Sequence, residues 1–237
     1  LVESEYPVRD LSIKGLSISL WAQYVLDNYA TVAEAVEDLT KNPIQVLTAQ
    51  VPGEDRLATL HMSISDATGD SAIFEYLDGK LVIHHNPEYQ VLTNSPTFGS
   101  QLALTEYWEQ IGGTVMLPGT NRAADRFVRA SFYTHAIPVT SSEVIGVASI
   151  FSVIRNCSVP FGISTPDQPN IASTRWRTVS DSKHKRYFFE SALTPNTFWI
   201  DLKNIDFKEG ASVKKLDLTK GQVYTANAAN SMVTAKP

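Results

Sequence analysis

Apolar positions recur along the chain at two different spacings, and the changes between them divide it into helices, strands, helices and strands again. Leu20, Trp21, Tyr24, Val25 and Tyr29 follow helical spacing and predict a short amphipathic helix. Thr31-Val-Ala-Glu34 is a capping box, so a second helix is expected from Val32 to about Leu39, ended by Asn42-Pro43. Both helices read as core scaffold, because one apolar stripe on a helix is there to be covered.

After Pro43 the period shortens. Ile44 to Ala49 suits a strand. Leu57 to Ser65 alternates, with Ala58, Leu60, Met62 and Ile64 on one face and Thr59, His61, Ser63 and Ser65 on the other. Asp66 to Asp70 is a turn, and Ser71 to Leu77 returns as a strand. Asp78-Gly79 is a two-residue hairpin signal leading into Lys80 to His85. A further strand is expected to run into Asn94 and stop at Pro96, which has no N–H for a ladder and restricts the residue before it. Connections this short make an antiparallel meander, since parallel crossovers need a dozen residues or more.

Helical spacing resumes from about Gln101 to Ile111, where Gly112-Gly113 breaks it. Leu117-Pro-Gly119 is a turn. Ala123 to about Tyr133 and Glu143 to about Asn156 are helices, the latter with Ser141 and Ser142 as candidate caps. Pro160 to Asn170 reads as a loop. Strands follow at Ala172 to Ser180, Arg186 to Ala192, Phe198 to Leu202 and Val213 to Leu218, and Asn227 to Pro237 reads as a loose tail. The order predicts an α+β fold: two antiparallel sheets, each with its own helices, in a four-layer αββα sandwich. With no internal repeat and no clear linker, residues 1–237 read as a single domain.

Composition narrows the picture. The chain has 43% hydrophobic and 19% charged residues, ordinary for a globular protein. Twenty Lys and Arg against 25 Asp and Glu give a net charge of −5 without a basic block, which argues against nucleic acid as a partner. No apolar run approaches the ~18–20 residues of a membrane span, so no membrane partner is expected, and no signal-peptide pattern stands at residue 1. A single cysteine, Cys157, excludes an internal disulfide framework and a multi-cysteine metal site.

The candidate chemistry is sparse. His61, His84, His85, His135 and His184 form no H-E-x-x-H motif, and His84 and His85 face opposite ways on one strand, so no metal or other cofactor is expected. There is no G-x-S-x-G and no phosphate-cradling glycine loop. Cys157 has no base near it in sequence and reads as a small buried hydrophobe. Asn94 is either a turn residue or a carboxamide held at the mouth of a sheet, where its two donors could polarise a substrate. Arg126 and Arg129 share a helix face at i, i+3 and read as a solvated pair, as a salt bridge from Arg126, or as a guanidinium aimed into a site. Arg175 and Arg177 lie opposite Trp176 on one strand. Tyr107 and Trp108 read as core aromatics.

Several stretches together resemble the penicillin V acylase and choloylglycine (bile salt) hydrolase family. They are Val91-Leu-Thr-Asn-Ser-Pro-Thr-Phe98, Leu117-Pro-Gly119 with Ala124-Asp-Arg-Phe-Val-Arg-Ala-Ser-Phe132, and Ile171-Ala-Ser-Thr-Arg-Trp-Arg-Thr-Val179. Arg56 to Asp66 and Asp70-Ser-Ala-Ile-Phe-Glu75 fit as well, and the penicillin V acylase branch fits better than the bile salt branch. The resemblance implies an N-terminal nucleophile hydrolase cutting linear amides without a cofactor, in which a cysteine at the first position attacks and its own α-amine, titrating near ~8, is the base. Asn94 matches the family's oxyanion-holding asparagine and Arg126 its active-site arginine, while Arg129 stays structural. The implied partner is a small acyl amide, either a phenoxyacetyl-penicillin or a fatty-acyl amide such as an acyl homoserine lactone. A homotetramer and a periplasmic or secreted location are implied as well.

One departure bears on all of this. The sequence begins at Leu1, not at cysteine, and Cys157 cannot substitute because its nitrogen is an amide. The expectation is the C-terminal portion of a longer hydrolase, incomplete at its N-terminus and inactive on its own. The alternative is a relative without a nucleophile that binds an acyl ligand uncut.

Overall fold

The computed structural model describes all residues except 52, 54, 113, 114, 167–171, 195, 220, 222, 236 and 237. Gly113, the last four residues of the predicted Pro160–Asn170 loop, Ile171 and the end of the tail therefore lie outside the described residues. The chain forms two compact units, Leu1–Ala136 and Ile137–Pro237. Each carries its own helices and an antiparallel sheet, an α+β architecture.

In the first unit, β1 (Gly15–Ser17) pairs in parallel with β2 (Gln45–Leu47). Between them lie α1 (Trp21–Asn28) and α2 (Val32–Lys41). The capping box at the start of α2 is formed in both directions: the Glu34 N–H donates to Thr31 Oγ1 at 3.2 Å and Glu34 Oε2 accepts from the Thr31 N–H at 3.1 Å. Asp66 adds a carboxylate on the Val32 N–H at 2.8 Å. An anion at a helix N-terminus satisfies orphan donors and complements the helix dipole.

The sheet of this unit is the meander β3 (Met62–Ser65), β4 (Ser71–Leu77) and β5 (Lys80–His85). The Asp78-Gly79 turn between β4 and β5 has φ of 50° and 72°, the left-handed pair that suits the twist of a two-residue hairpin. β4 is the middle strand and is buried on both faces. Ala72, Phe74 and Tyr76 join Trp21, Val25, Val32 and Leu39 in one core, while Ile73 packs on the other side with Phe98 and Phe127. The second face therefore meets α3 (Phe98–Ile111) and α4 (Ala123–Ala136), which pack on each other. The alternation read over Leu57–Ser65 becomes ladder only from Met62, and Leu57 and Leu60 are exposed.

In the second unit, α5 (Glu143–Asn156) packs on an antiparallel sheet of β6 (Trp176–Asp181), β7 (Arg186–Ser191) and β8 (Thr197–Asp201). The predicted Val213–Leu218 strand shrinks to β9 (Lys214–Lys215). The tail departs from expectation. β10 (Ala226–Asn227) adds to β8 in parallel, β11 (Val233–Thr234) pairs with β9, and Ala228 is buried against Phe198 and Ile200. Small residues hide the signal, but β8 needs its outer edge covered, and main-chain pairing there needs no large side chain.

Candidate active site

No strand leads into Asn94. Residues 89–97 are irregular, with a cis Ser95–Pro96 peptide, and α3 begins at Phe98, three residues earlier than its apolar period predicts. The reason is that a side chain from the following helix satisfies carbonyls of this backbone in place of a ladder. Val91 and Leu92 pack against the Phe98–Phe127 cluster. Gln101, fully buried, donates from Nε2 to the Pro96 carbonyl at 2.6 Å and to the Asn94 carbonyl at 3.3 Å. The Thr93 hydroxyl lies 3.0 Å from Gln101 Oε1 and 2.9 Å from the carbonyl of Ala123, the first residue of α4.

Glu75 sets the start of α3. It is fully buried in the middle of β4, and the Phe98 N–H donates to its two oxygens at 3.0 and 3.2 Å. Thr97, the residue at the helix cap, makes no side-chain capping bond, so the carboxylate does that work from the sheet. His61 Nδ1 is 3.3 Å from Oε1 and His84 Nε2 is 3.4 Å from Oε2. Burial pushes the Glu75 carboxyl up, but the His61 bond, the Phe98 N–H and the nearness of both histidines together leave it below the usual carboxylate range. His85, on the other side of β5, meets Asp70 at 2.8 Å, so the two adjacent histidines do face apart.

α4 supplies the arginines, and they diverge. Arg129 is buried and donates to the carbonyls of Pro118 at 2.6 Å and Thr120 at 2.9 Å, fastening the turn before the helix. Arg126 is half-buried. Its Nε donates to the Asn121 carbonyl at 3.1 Å and its Nη2 to Asn94 Oδ1 at 2.7 Å. The two candidates read from the sequence therefore meet. A guanidinium has donors only, so it dictates which end of the carboxamide faces it. Asn94 is exposed, and its NH2 group points away from Arg126 with no hydrogen bond among the described residues.

The other candidates have surroundings of their own. Arg177 is held by Glu190 at 2.7 Å and by Ser158 at 2.8 Å, and Glu190 also takes Arg155. Arg175 lies over the Phe161 ring, and Trp176 is exposed. Tyr107 is exposed too, not core as expected. Cys157 caps the end of α5, half-buried. Glu143, Asp181 and His184 bring ligand-type atoms within 4.8 Å of one another. Arg186 already places its charge on both Glu143 oxygens, at 2.7 and 2.8 Å, so that cluster reads as an ion-pair network. Sequence reasoning missed Glu75, Gln101 and Thr93 as a group. The one available signal was a lone carboxylate inside the apolar run Ala72 to Leu77.

What the pair can do chemically is present two N–H donors, on a carboxamide whose plane is set by a cation, to an oxygen gaining negative charge. Residues 8–220 match the linear amide C–N hydrolases of the choloylglycine hydrolase family, and the chain belongs to that family. Within it the chain is similar to the penicillin V acylase of Pectobacterium atrosepticum, at 56% identity over the whole chain and 68% of that protein. It is 26% identical to the bile salt hydrolase/transferase of Clostridium perfringens, over 78% of the chain and 63% of that protein. The solved structure of penicillin V acylase from Agrobacterium tumefaciens superposes with a TM-score of 0.89 at 62% identity, covering 99% of this chain and 72% of that one. The conjugated bile acid hydrolase of C. perfringens shares the fold, with a TM-score of 0.75 at 22% identity. The fold is thus that of N-terminal nucleophile hydrolases, and the enzyme class is amide hydrolase.

Proposed function

We propose that this chain carries the oxyanion-stabilising half of a penicillin V acylase-type active site, with Asn94 as the donor and Arg126 as the group that orients it. The observation that carries the reading is the 2.7 Å bond from Arg126 Nη2 to Asn94 Oδ1. It leaves the Asn94 NH2 facing outward at an exposed position. Attack on an amide carbonyl moves charge onto its oxygen, and a donor already aimed there needs no reorganisation when the charge appears. Arg126 adds a second effect: its charge polarises the carboxamide, making the NH2 a stronger donor.

The substrate class follows from the relatives, two of which are named for penicillin V. The scissile bond is the linear amide joining an aryloxyacetyl group to its amine, with fatty-acyl amides such as acyl homoserine lactones as the neighbouring class. A homotetramer belongs to the same reading and is checked by mass in solution.

The test uses the protein as encoded by its full reading frame. Asn94→Ala is expected to lower turnover of phenoxymethylpenicillin by about 10²–10³-fold while leaving the unfolding midpoint nearly in place. Turnover equal to the parent's would remove Asn94 from this role, and a parent that leaves the amide intact would overturn the substrate assignment.

A further inference from the structure

We infer that Gln101 is a positioning residue for the reaction: it fixes the backbone from which Asn94 projects, a task separate from the one Arg126 performs on the Asn94 side chain. The inference rests on the function proposed above. It starts from a problem of geometry. A donor that is to meet a developing oxyanion must be held to a fraction of an ångström, yet Asn94 sits on an irregular segment with no ladder to hold it.

Gln101 solves the problem with every polar atom it has. Both hydrogens of its Nε2 are used, one toward the Pro96 carbonyl at 2.6 Å and one toward the Asn94 carbonyl at 3.3 Å. Its Oε1 faces the Thr93 hydroxyl at 3.0 Å. Thr93 before Asn94, Pro96 two residues after it, and the carbonyl of Asn94 itself are therefore tied to one side chain. That side chain is fully buried, so its own amide has no solvent partner to take in place of these bonds.

The clamp is in turn anchored twice. Gln101 lies one turn into α3, its own N–H bonded to the Thr97 carbonyl at 3.0 Å, and that helix starts where Glu75 receives the Phe98 N–H. Thr93 reaches the Ala123 carbonyl at 2.9 Å, at the start of the helix that carries Arg126. Backbone placement through Gln101 and amide orientation through Arg126 thus converge on Asn94 from two helices. They act on different torsions: the clamp sets where the Asn94 Cα–Cβ bond points, and Arg126 sets the amide plane beyond it.

The experiment is made on the protein as encoded, with phenoxymethylpenicillin as substrate. Gln101→Leu keeps an apolar volume in the site and removes every bond. We expect kcat to fall about 10- to 100-fold with KM within about threefold of the parent's, because displaced donors cost the transition state more than the ground state. Gln101→Glu provides the discriminating signature. An ionised glutamate offers no donor to the two carbonyls, while a protonated one does, and burial raises the pH at which it protonates. The ratio of its kcat to the parent's should therefore rise as the pH is lowered, whereas the ratio for Gln101→Leu stays flat. This second variant also decides the matter if Gln101→Leu fails to fold.

A third readout needs no turnover. The Asn94 side-chain amide resonances should be sharp and dispersed in the parent and should move toward random-coil positions in the Gln101 variants. Unchanged kcat with unmoved resonances overturns the positioning role. A loss borne wholly by KM, or a flat pH ratio for Gln101→Glu, does so too. If the parent itself does not hydrolyse the amide, the proposed function fails, and the resonances alone then decide whether Gln101 positions Asn94.

Discussion

Arg126 Nη2 stands 2.7 Å from Asn94 Oδ1, so the oxygen of the carboxamide is engaged and only its NH2 is left to serve a ligand. Two expectations follow in the protein as encoded. Asn94→Asp keeps an oxygen for Arg126 and the shape of the loop but has no donor to offer, so it should fold like the parent and lose turnover about as far as Asn94→Ala. Arg126→Leu frees the amide to rotate, and combining it with Asn94→Ala should cost clearly less than the sum of the two. A coupling of about 0.5–3 kcal/mol is ordinary for groups in contact, and kcat/KM of the four proteins measures it. Strict additivity would show that the two side chains act separately.

Arg129 should behave in the opposite way. It is buried, and its bonds to the Pro118 and Thr120 carbonyls hold the turn before α4. Arg129→Met leaves those carbonyls without their donor, a loss of about 3 kcal/mol for charged hydrogen bonds of this kind. Denaturant unfolding should record it. Residual folded enzyme at low temperature should keep most of its kcat, in contrast to Arg126→Leu.

Glu75 makes stability depend on acid. Its carboxyl is held below the usual range in the folded protein, so its contribution is fully present above the unfolded value, ~4.3, and is lost as the pH falls through the lower folded value. Glu75→Gln should be less stable than the parent at pH 7, and the gap should close as the pH is taken below about 4. A gap that stays constant down to pH 2 would show that the charge on Glu75 contributes nothing. Unfolding midpoints of the two proteins across that range are the measurement.

Thr31 tests the scaffold away from the site. Thr31→Ala removes the Oγ1 acceptor of the Glu34 N–H and should cost about 1 kcal/mol. Asp66 continues to hold the Val32 N–H, so α2 should remain helical by circular dichroism and kcat should not change.

What could be read from the sequence was whatever a few neighbouring residues decide among themselves. The Thr31–Glu34 box, the Asp78-Gly79 turn, and the bounds of β4, β5 and α5 all appeared as expected, because caps, turns and side-chain period act over one to four positions. Asn94 and Arg126 were singled out one by one as candidates through the family motifs, but their contact spans 32 positions and no spacing rule reaches that far. The strand expected before Asn94 failed for the same reason. Val91 and Leu92 are apolar because they pack against Phe98 and Phe127, and Gln101 takes the carbonyls of Asn94 and Pro96 just beyond them. The tail was misread because Ala228 is small, and its burial depends on an open edge of β8 lying next to it.

The bond from Phe98 to Glu75 has a consequence for the timescale of motion. Amides in the first turn of a helix have no intrahelical partner and ordinarily exchange with solvent hydrogen within the fraying of that turn. The Phe98 amide is instead bonded to a carboxylate on the middle strand of the sheet, fully buried. It can be released only when that strand opens. Its exchange in deuterium oxide should therefore be as slow as that of the β4 ladder, and faster exchange like that of Gly99 and Ser100 would contradict this. The segment bearing Asn94 would then share the lifetime of the sheet, although it looks like surface loop.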